Sequence, residues 1–374
     1  MTRQKREITD LDWAIFCRVI DNHGDLGVCW RLATQLSQNG VNTHIYIDDA
    51  SALRWMAPQG CAGVSVWPWP MDDEVFEASQ VPDVVIEAFG CELPAAYQAA
   101  MAARPVAPVW MNLEYFSLEA SAQRNHGLPS PVLSGPAKGL CKWFYYPGWG
   151  EHSGGLLTGF QPGNTHAMPP SQGRKPLTSQ TLELSGDGMA QFDHHKEWHI
   201  SLFCYEPAGL GLWLKQLAEM PRQVHLHITA GRASAAVRQA MNAFDLSGLN
   251  LHFLEHLSQT DYDSLLARMD INLVRGEDSL VRAMCAGKPL LWQIYPQHDG
   301  AHIPKLQAFL EQTGAPPVVV QAHLAWNASE PQTLPNLTPE HLAEWSAWAA
   351  QLKAKLALQT GLTERLMGFV AAKG

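Results

Sequence analysis

Residues 13–48 read WAIFCRVIDNHGDLGVCWRLATQLSQNGVNTHIYID. WAIFCRVI (13–20) is a short apolar run of the kind that forms a buried strand. DNHGDLG (21–27) is a polar glycine turn. VCWRLATQLSQNG (28–40) then carries apolar residues at helical period and stops at Asn39-Gly40. VNTHIYID (41–48) returns to strand character. A strand, a crossover helix and a second strand in this order predict a parallel sheet covered by helices.

The alternation continues outward. VSVWPW (64–69), PDVVIEAF (82–89) and APVWMNLEY (107–115) read as further strands. Residues 161–188 are rich in Pro, Gly, Ser and Thr, show no periodicity and read as a linker. Strands then recur at HISLFCYE (199–206), QVHLHITAG (223–231), LNLHFLEHL (249–257), DINLVRG (270–276) and KPLLWQIY (288–295), each separated from the next by a helical stretch. Thr338-Pro339-Glu340 opens a long closing helical region that Gly361 breaks. The expected class is α/β, with two Rossmann-like doubly wound domains facing a cleft. The expected bounds are an N-terminal domain at 1–160, the linker at 161–188, a second domain at 189–355, and a closing helix at 356–374 that packs back on the first domain. Ligands of such sheets bind beyond the carboxyl ends of the strands.

Composition narrows the function classes. The 374 residues carry 26 Lys plus Arg against 36 Asp plus Glu, a net charge of −10 that argues against nucleic acid and anionic membrane as partners. No apolar run is long enough for a membrane span, and the charged start MTRQKREITDLDW lacks the apolar core of a signal peptide. Seven scattered cysteines without a CxxC pair suit reduced core thiols, so a cytoplasmic location is expected and a zinc cluster of cysteines is not.

Three loops follow strands and carry chemistry. Asp21-Asn22-His23-Gly24-Asp25-Leu26-Gly27 is neither GxGxxG nor a P-loop. Its two carboxylates would repel a pyrophosphate and suit a cation or a proton, although either could simply cap the helix. Arg275-Gly276-Glu277-Asp278-Ser279 offers a helix N-terminus, a hydroxyl and a guanidinium to a phosphate, or is an ordinary capped helix with acidic residues in its first turn. Ile294-Tyr295-Pro296-Gln297-His298-Asp299, followed by His302 and Lys305, suits a nucleoside or sugar, or is a surface turn. Asp261-Tyr262-Asp263 has the DxD form of metal-dependent glycosyltransferases but sits where a helix should open. Asp193-His194-His195-Lys196-Glu197-Trp198-His199 holds possible ligands without a metal-specific spacing, so no metal site is expected.

Taken together, FCRVIDNHGDLGVCWRLA (16–33), WMNLEYFS (110–117), FYYPGW (144–149), SGGLL (153–157), SLFCYE (201–206), LSQTDYDSLL (257–266), VRGEDSLVRA (274–283) and WQIYPQHDGAH (292–302) strongly resemble the bacterial protein-arginine rhamnosyltransferases that modify translation elongation factor P, the EarP family. The resemblance covers nearly the whole chain in order. It implies a GT-B glycosyltransferase fold and an inverting, metal-independent transfer from dTDP-β-L-rhamnose, a co-substrate, with no cofactor. Asp21 and Asp25 match the family's two essential aspartates, with Asp25 in the place of the general base. Asn22 and Glu114 go with them on the acceptor side, and Glu277 joins the catalytic set. Phe203, Tyr205, Gln259, Arg275, Glu277, Asp278, Ser279 and Tyr295 match donor-binding positions, and His256 stands where relatives more often place a thymine-stacking Phe.

An arginine guanidinium is a poor nucleophile because it stays protonated and its charge is delocalised. Two carboxylates in one loop can grip that cation and withdraw its proton. A GT-B enzyme with a hydroxyl acceptor from the cell envelope or a small molecule needs one base. A non-catalytic nucleotide-sugar-binding module needs neither carboxylate.

Overall fold

The computed structural model describes residues 7–20, 23–71, 74–159, 197–297, 300 and 302–373. Two compact units emerge: residues 1–158 with 358–374, and residues 159–357. Among the described residues no helix is long and apolar enough to cross a membrane. The linker stretch at 161–188 lies outside the described residues, as do Asp21, Asn22, His298 and Asp299.

The first unit holds strands β1 (Trp13–Cys17), β2 (Thr43–Ile47), β3 (Val64–Pro68), β4 (Val84–Ala88), β5 (Val109–Leu113), β6 (Pro129–Pro131) and β7 (Cys141–Tyr145). They form one sheet in the order β3-β2-β1-β4-β5-β7-β6, parallel except for β6. Helices α1 (Gly24–Gln38), α2 (Leu53–Met56), α3 (Ala95–Ala103) and α4 (Ala120–Asn125) connect the strands. β1 and β4 are buried along their whole length, as strands covered on both faces must be. On α1, Leu26, Cys29, Trp30, Ala33 and Leu36 form the apolar face that meets the sheet. The helix ends where Asn39-Gly40 predicts. Gly40 adopts φ +82°, and the Val41 amide donates to the Leu36 carbonyl, which closes the last turn.

In the second unit β8 (Glu197–Leu202), β9 (Gln223–Ile228), β10 (Leu249–Phe253), β11 (Ile271–Arg275) and β12 (Leu290–Gln293) pair in parallel in the order β10-β9-β8-β11-β12. Helices α5 (Leu210–Ala218), α6 (Arg232–Ala240), α7 (Gln259–Arg268) and α8 (Gly276–Ala286) link them. Next come α9 (His302–Thr313), α10 (Pro317–Trp326) and α11 (Pro339–Ala357). After Gly361 the chain forms α12 (Leu362–Lys373), whose Leu362, Leu366 and Val370 enter the core beneath α1 in the first unit. All seven cysteines are free thiols.

Several boundaries differ from the sequence reading. α1 begins at Gly24, four residues before the expected start, so Asp25 sits inside its first turn. β1, β5, β10 and β12 end before the apolar runs that announced them. At the carboxyl edge the chain stays aromatic and apolar after its ladder bonds stop, and hydropathy does not register that change. Strand order reverses between β1 and β4 in one sheet and between β8 and β11 in the other. Those reversal points open a crevice at the carboxyl ends of the strands.

Candidate active site

In the first unit the loops after β1 and β4 meet at this reversal point. Asp25 is 2% exposed. Its Oδ2 accepts from the Ile20 amide at 2.9 Å, and its Oδ1 accepts from the Tyr115 hydroxyl at 3.0 Å. The N-cap of α1 is His23, which makes no side-chain cap bond. Asp25 therefore ties the strand-to-helix turn to the loop after β5.

Tyr115 is oriented from below. Its ring stacks on Phe89 with centroids 4.2 Å apart and planes 15° apart. Phe89 has φ +59°, a left-handed conformation that is uncommon for a bulky residue and points to a constrained, functional turn. The turn is held by β5: the Phe89 amide donates to the Leu113 carbonyl at 2.7 Å and the Gly90 amide to Asn112 Oδ1 at 3.1 Å. The Asn112 side-chain amide also donates to Glu114 Oε1. Beside it Glu87, 1% exposed, pairs with Lys142 at 2.8 Å and accepts from the Leu93 amide at 3.0 Å. Asp25, Tyr115 and Phe89 thus form one connected group, and Glu114 a second through Asn112.

In the second unit the loops after β8, β11 and β12 gather around Arg275. Its guanidinium carbon lies 4.5 Å from the Phe203 ring and 4.6 Å from the Tyr205 ring. Nη1 donates to the Cys204 carbonyl at 3.4 Å. The Tyr205 amide donates to Gln293 Oε1 at 2.8 Å, and the Tyr295 ring meets Tyr205 edge-on at 5.5 Å. Arg232 packs on Tyr205 with its guanidinium carbon 4.8 Å from the ring and pairs with Glu206. Tyr295 itself is 39% exposed. His256, exposed, and Gln259, at the start of α7, flank the Ser258 cap; the Tyr262 ring of that helix lies 5.7 Å from Phe203.

α8 begins directly at Gly276, whose φ of +66° a residue with a side chain would resist. Glu277 pairs with Lys305 at 2.6 Å. That pairing neutralises a carboxylate that would otherwise oppose a diphosphate at this helix end. Asp278 stays in the first turn, which the helix dipole favours. The Ser279 hydroxyl, 5% exposed, donates to the Arg275 carbonyl. In this arrangement the one proton of the Ser279 hydroxyl braces the turn.

The DxD triplet is otherwise engaged. Asp261 accepts from the Ser258 hydroxyl at 2.7 Å while its amide donates back to Ser258 Oγ at 3.1 Å, a reciprocal helix cap. Asp263 takes Arg282 in a fork at 2.9 and 2.5 Å, with both side chains buried. Sequence reasoning did not single out Phe89, Tyr115, Arg232 or Gln293. Tyr115 lay inside the quoted WMNLEYFS, but no local pattern says that its hydroxyl reaches Asp25.

Two parallel-sheet α/β units, with an acidic strand-to-helix turn in one and Arg275 among aromatic side chains at a helix start in the other, fit a GT-B glycosyltransferase. A UDP-glucosyltransferase from Polygonum tinctorium, 8% identical with a TM-score of 0.53, shares this fold over 96% of the present chain and 98% of its own. The chain belongs to the family described as Elongation-Factor P (EF-P) rhamnosyltransferase EarP, whose profile matches residues 13–371. It is 37% identical to a protein-arginine rhamnosyltransferase of Pseudomonas aeruginosa, covering 96% of this chain and 98% of the relative. It is 40% identical to one of Pseudomonas putida across 80% of each chain. The solved structure described as the structural basis for EarP-mediated arginine glycosylation of translation elongation factor EF-P superposes with a TM-score of 0.58 at 26% identity, over 96% of this chain and 98% of that one.

Proposed function

We propose that this glycosyltransferase moves L-rhamnose from dTDP-β-L-rhamnose to an arginine side chain of translation elongation factor P, by direct displacement with inversion and without a metal ion. The observation that carries the acceptor half is Asp25: a buried carboxylate at the turn after β1, fixed in place by the Ile20 amide and the Tyr115 hydroxyl. Such a group suits a planar cation better than a neutral hydroxyl, because guanidinium N–H groups fork onto a carboxylate. The curated relatives are protein-arginine rhamnosyltransferases, and the solved relative concerns EF-P, which supports the same acceptor.

In this reading Asp25 takes the guanidinium proton as the nitrogen–anomeric carbon bond forms, with Asp21 and Asn22 completing the grip and Glu114 flanking it. The anomeric carbon–oxygen bond breaks on the opposite face, and dTDP leaves with the electron pair. Arg275, held between Phe203 and Tyr205, and the amides at the start of α8 receive that charge. Tyr295, His256 and Gln259 are assigned to the nucleoside, and Glu277 and Asp278 to the sugar side. The engagement of Asp261 with Ser258 and of Asp263 with Arg282, and the cationic Arg275 at the turn before α8, support the metal-independent reading.

The deciding experiment incubates the purified chain with dTDP-rhamnose and intact elongation factor P and weighs the factor. A gain of one deoxyhexose on an arginine supports the reading; an unmodified factor with sugar on another acceptor overturns it. Asp25→Asn keeps the size but cannot take the proton, so turnover is expected to fall roughly 10²–10⁴-fold while dTDP affinity stays near wild type. Lost donor binding would move Asp25 to the other substrate.

A further inference from the structure

The sheet of the second unit carries four histidines on one face. His199 lies on β8, His225 and His227 on β9, and His252 on β10. The register places His199 opposite His225 and His227 opposite His252. Their rings stack with centroids 4.7 Å apart in the first pair and 4.8 Å in the second. Glu197 shares the face of His199 at the start of β8. Its Oε2 lies 3.9 Å from His199 Nε2 and 3.8 Å from His225 Nε2.

We propose that Glu197, His199 and His225 form a structural site for a divalent transition metal of the zinc type, clamping β8 to β9. The three ligand atoms lie within 4.8 Å of one another. Ligands around a tetrahedral zinc stand about 3.4 Å apart, so side-chain rotation has to draw the ligand atoms together, by up to about 1.4 Å for the widest pair. Two imidazole nitrogens and one carboxylate oxygen are a donor set that zinc accepts, with the fourth position left to water. His225 Nε2 is buried and has no hydrogen-bond partner, which a metal would supply.

The second layer fits the same assignment. His199 Nδ1 lies 3.0 Å from His227 Nε2, and His225 Nδ1 lies 3.0 Å from His252 Nε2. With protons on both inner Nδ1 atoms, each donates outward to the neighbouring histidine and turns the Nε2 lone pair toward the ion. A metal-bound histidine is ordinarily oriented in this way by an outer acceptor. The site lies near the amino ends of β8 and β9, about 10 Å of strand away from the donor loops, so the ion would act on stability and not on transfer.

The test uses the full chain after chelator treatment, titrated calorimetrically with Zn²⁺ and followed by the visible spectrum of bound Co²⁺. One equivalent is expected, with a rise in melting temperature, a tetrahedral cobalt band and unchanged rhamnosylation. His225→Ala is expected to abolish the cobalt band. Glu197→Gln, half-exposed and safe for folding, is expected to weaken zinc at least tenfold, and His252→Gln by about 10–100-fold. A His194→Ala/His195→Ala variant should bind as wild type. No binding to wild type, unchanged affinity in Glu197→Gln, or loss of binding in the His194/His195 variant would overturn the site.

Discussion

Tyr115 carries the sharpest expectation at the scale of single residues. It gives its proton to Asp25 and rests its ring on Phe89. Tyr115→Phe keeps the stack and deletes only the hydrogen bond. A bond to a charged group contributes about 1.5–3 kcal/mol, so turnover is expected to fall roughly tenfold or more through a loosened Asp25. The melting temperature should move little, since the ring stays packed. Steady-state kinetics beside a thermal melt separate the two; equal loss in both would make Tyr115 a packing residue. Ser279 shows the complementary case. A hydroxyl at a phosphate-type turn invites assignment to the ligand, yet its proton goes to the Arg275 carbonyl.

Individual elements owe their stability to partners remote in sequence. α7 and α8 are joined by Asp263 and Arg282, both fully buried. Burial pushes the Arg282 guanidinium down, but the Asp263 bond and charge outweigh it and raise it above its usual range. Asp263→Ala leaves that buried cation without its carboxylate, and the unit is expected to lose about 3–5 kcal/mol in denaturant melts. If Asp263 instead served a metal, wild-type transfer would stop in EDTA, whereas it is expected to continue. α12 makes a different point. Leu366 is 1% exposed and packs in the core of the first unit. Leu366→Ala is expected to destabilise that unit by about 2–5 kcal/mol, read as an earlier melting transition, although the residue lies some 350 positions from β1.

For the whole molecule, acid is the revealing variable. Burial lowers His199 to about 4, His227 to about 3 and the fully buried His323 to about 4. Asp270 and Glu197 pull His199 back only in part. An unfolded histidine titrates near 6.5, so between that pH and about 4 the unfolded chain binds more protons than the folded one. The stability these groups contribute is complete above pH 6.5 and drains away as the pH falls toward 4. Melting temperature is accordingly expected to drop steeply from pH 7 to pH 5. His227→Gln should flatten that slope. A flat profile in wild type would show that these histidines take up protons without unfolding.

Much of this architecture was legible in residue order. Alternating apolar runs, the Asn39-Gly40 stop and the break at Gly361 reflect local steric and hydrophobic periodicity, which a chain carries wherever it goes. The loops at 21–27 and 275–279 were also visible, because carboxylates or glycine next to a strand end are unusual in composition. β6 and β7 were missed: two prolines in one and a mixed Cys-Lys-Trp-Phe-Tyr run in the other do not announce a strand, and pairing across the hairpin makes them one. Which side chains touch was decided only by tertiary structure. Tyr115 on Asp25, Arg275 between Phe203 and Tyr205, Lys305 on Glu277 and His225 beside Glu197 all join residues at least 28 positions apart. Local sequence sets φ, ψ and burial preference. The register of parallel strands, set by packing helices against both faces, chooses the partners.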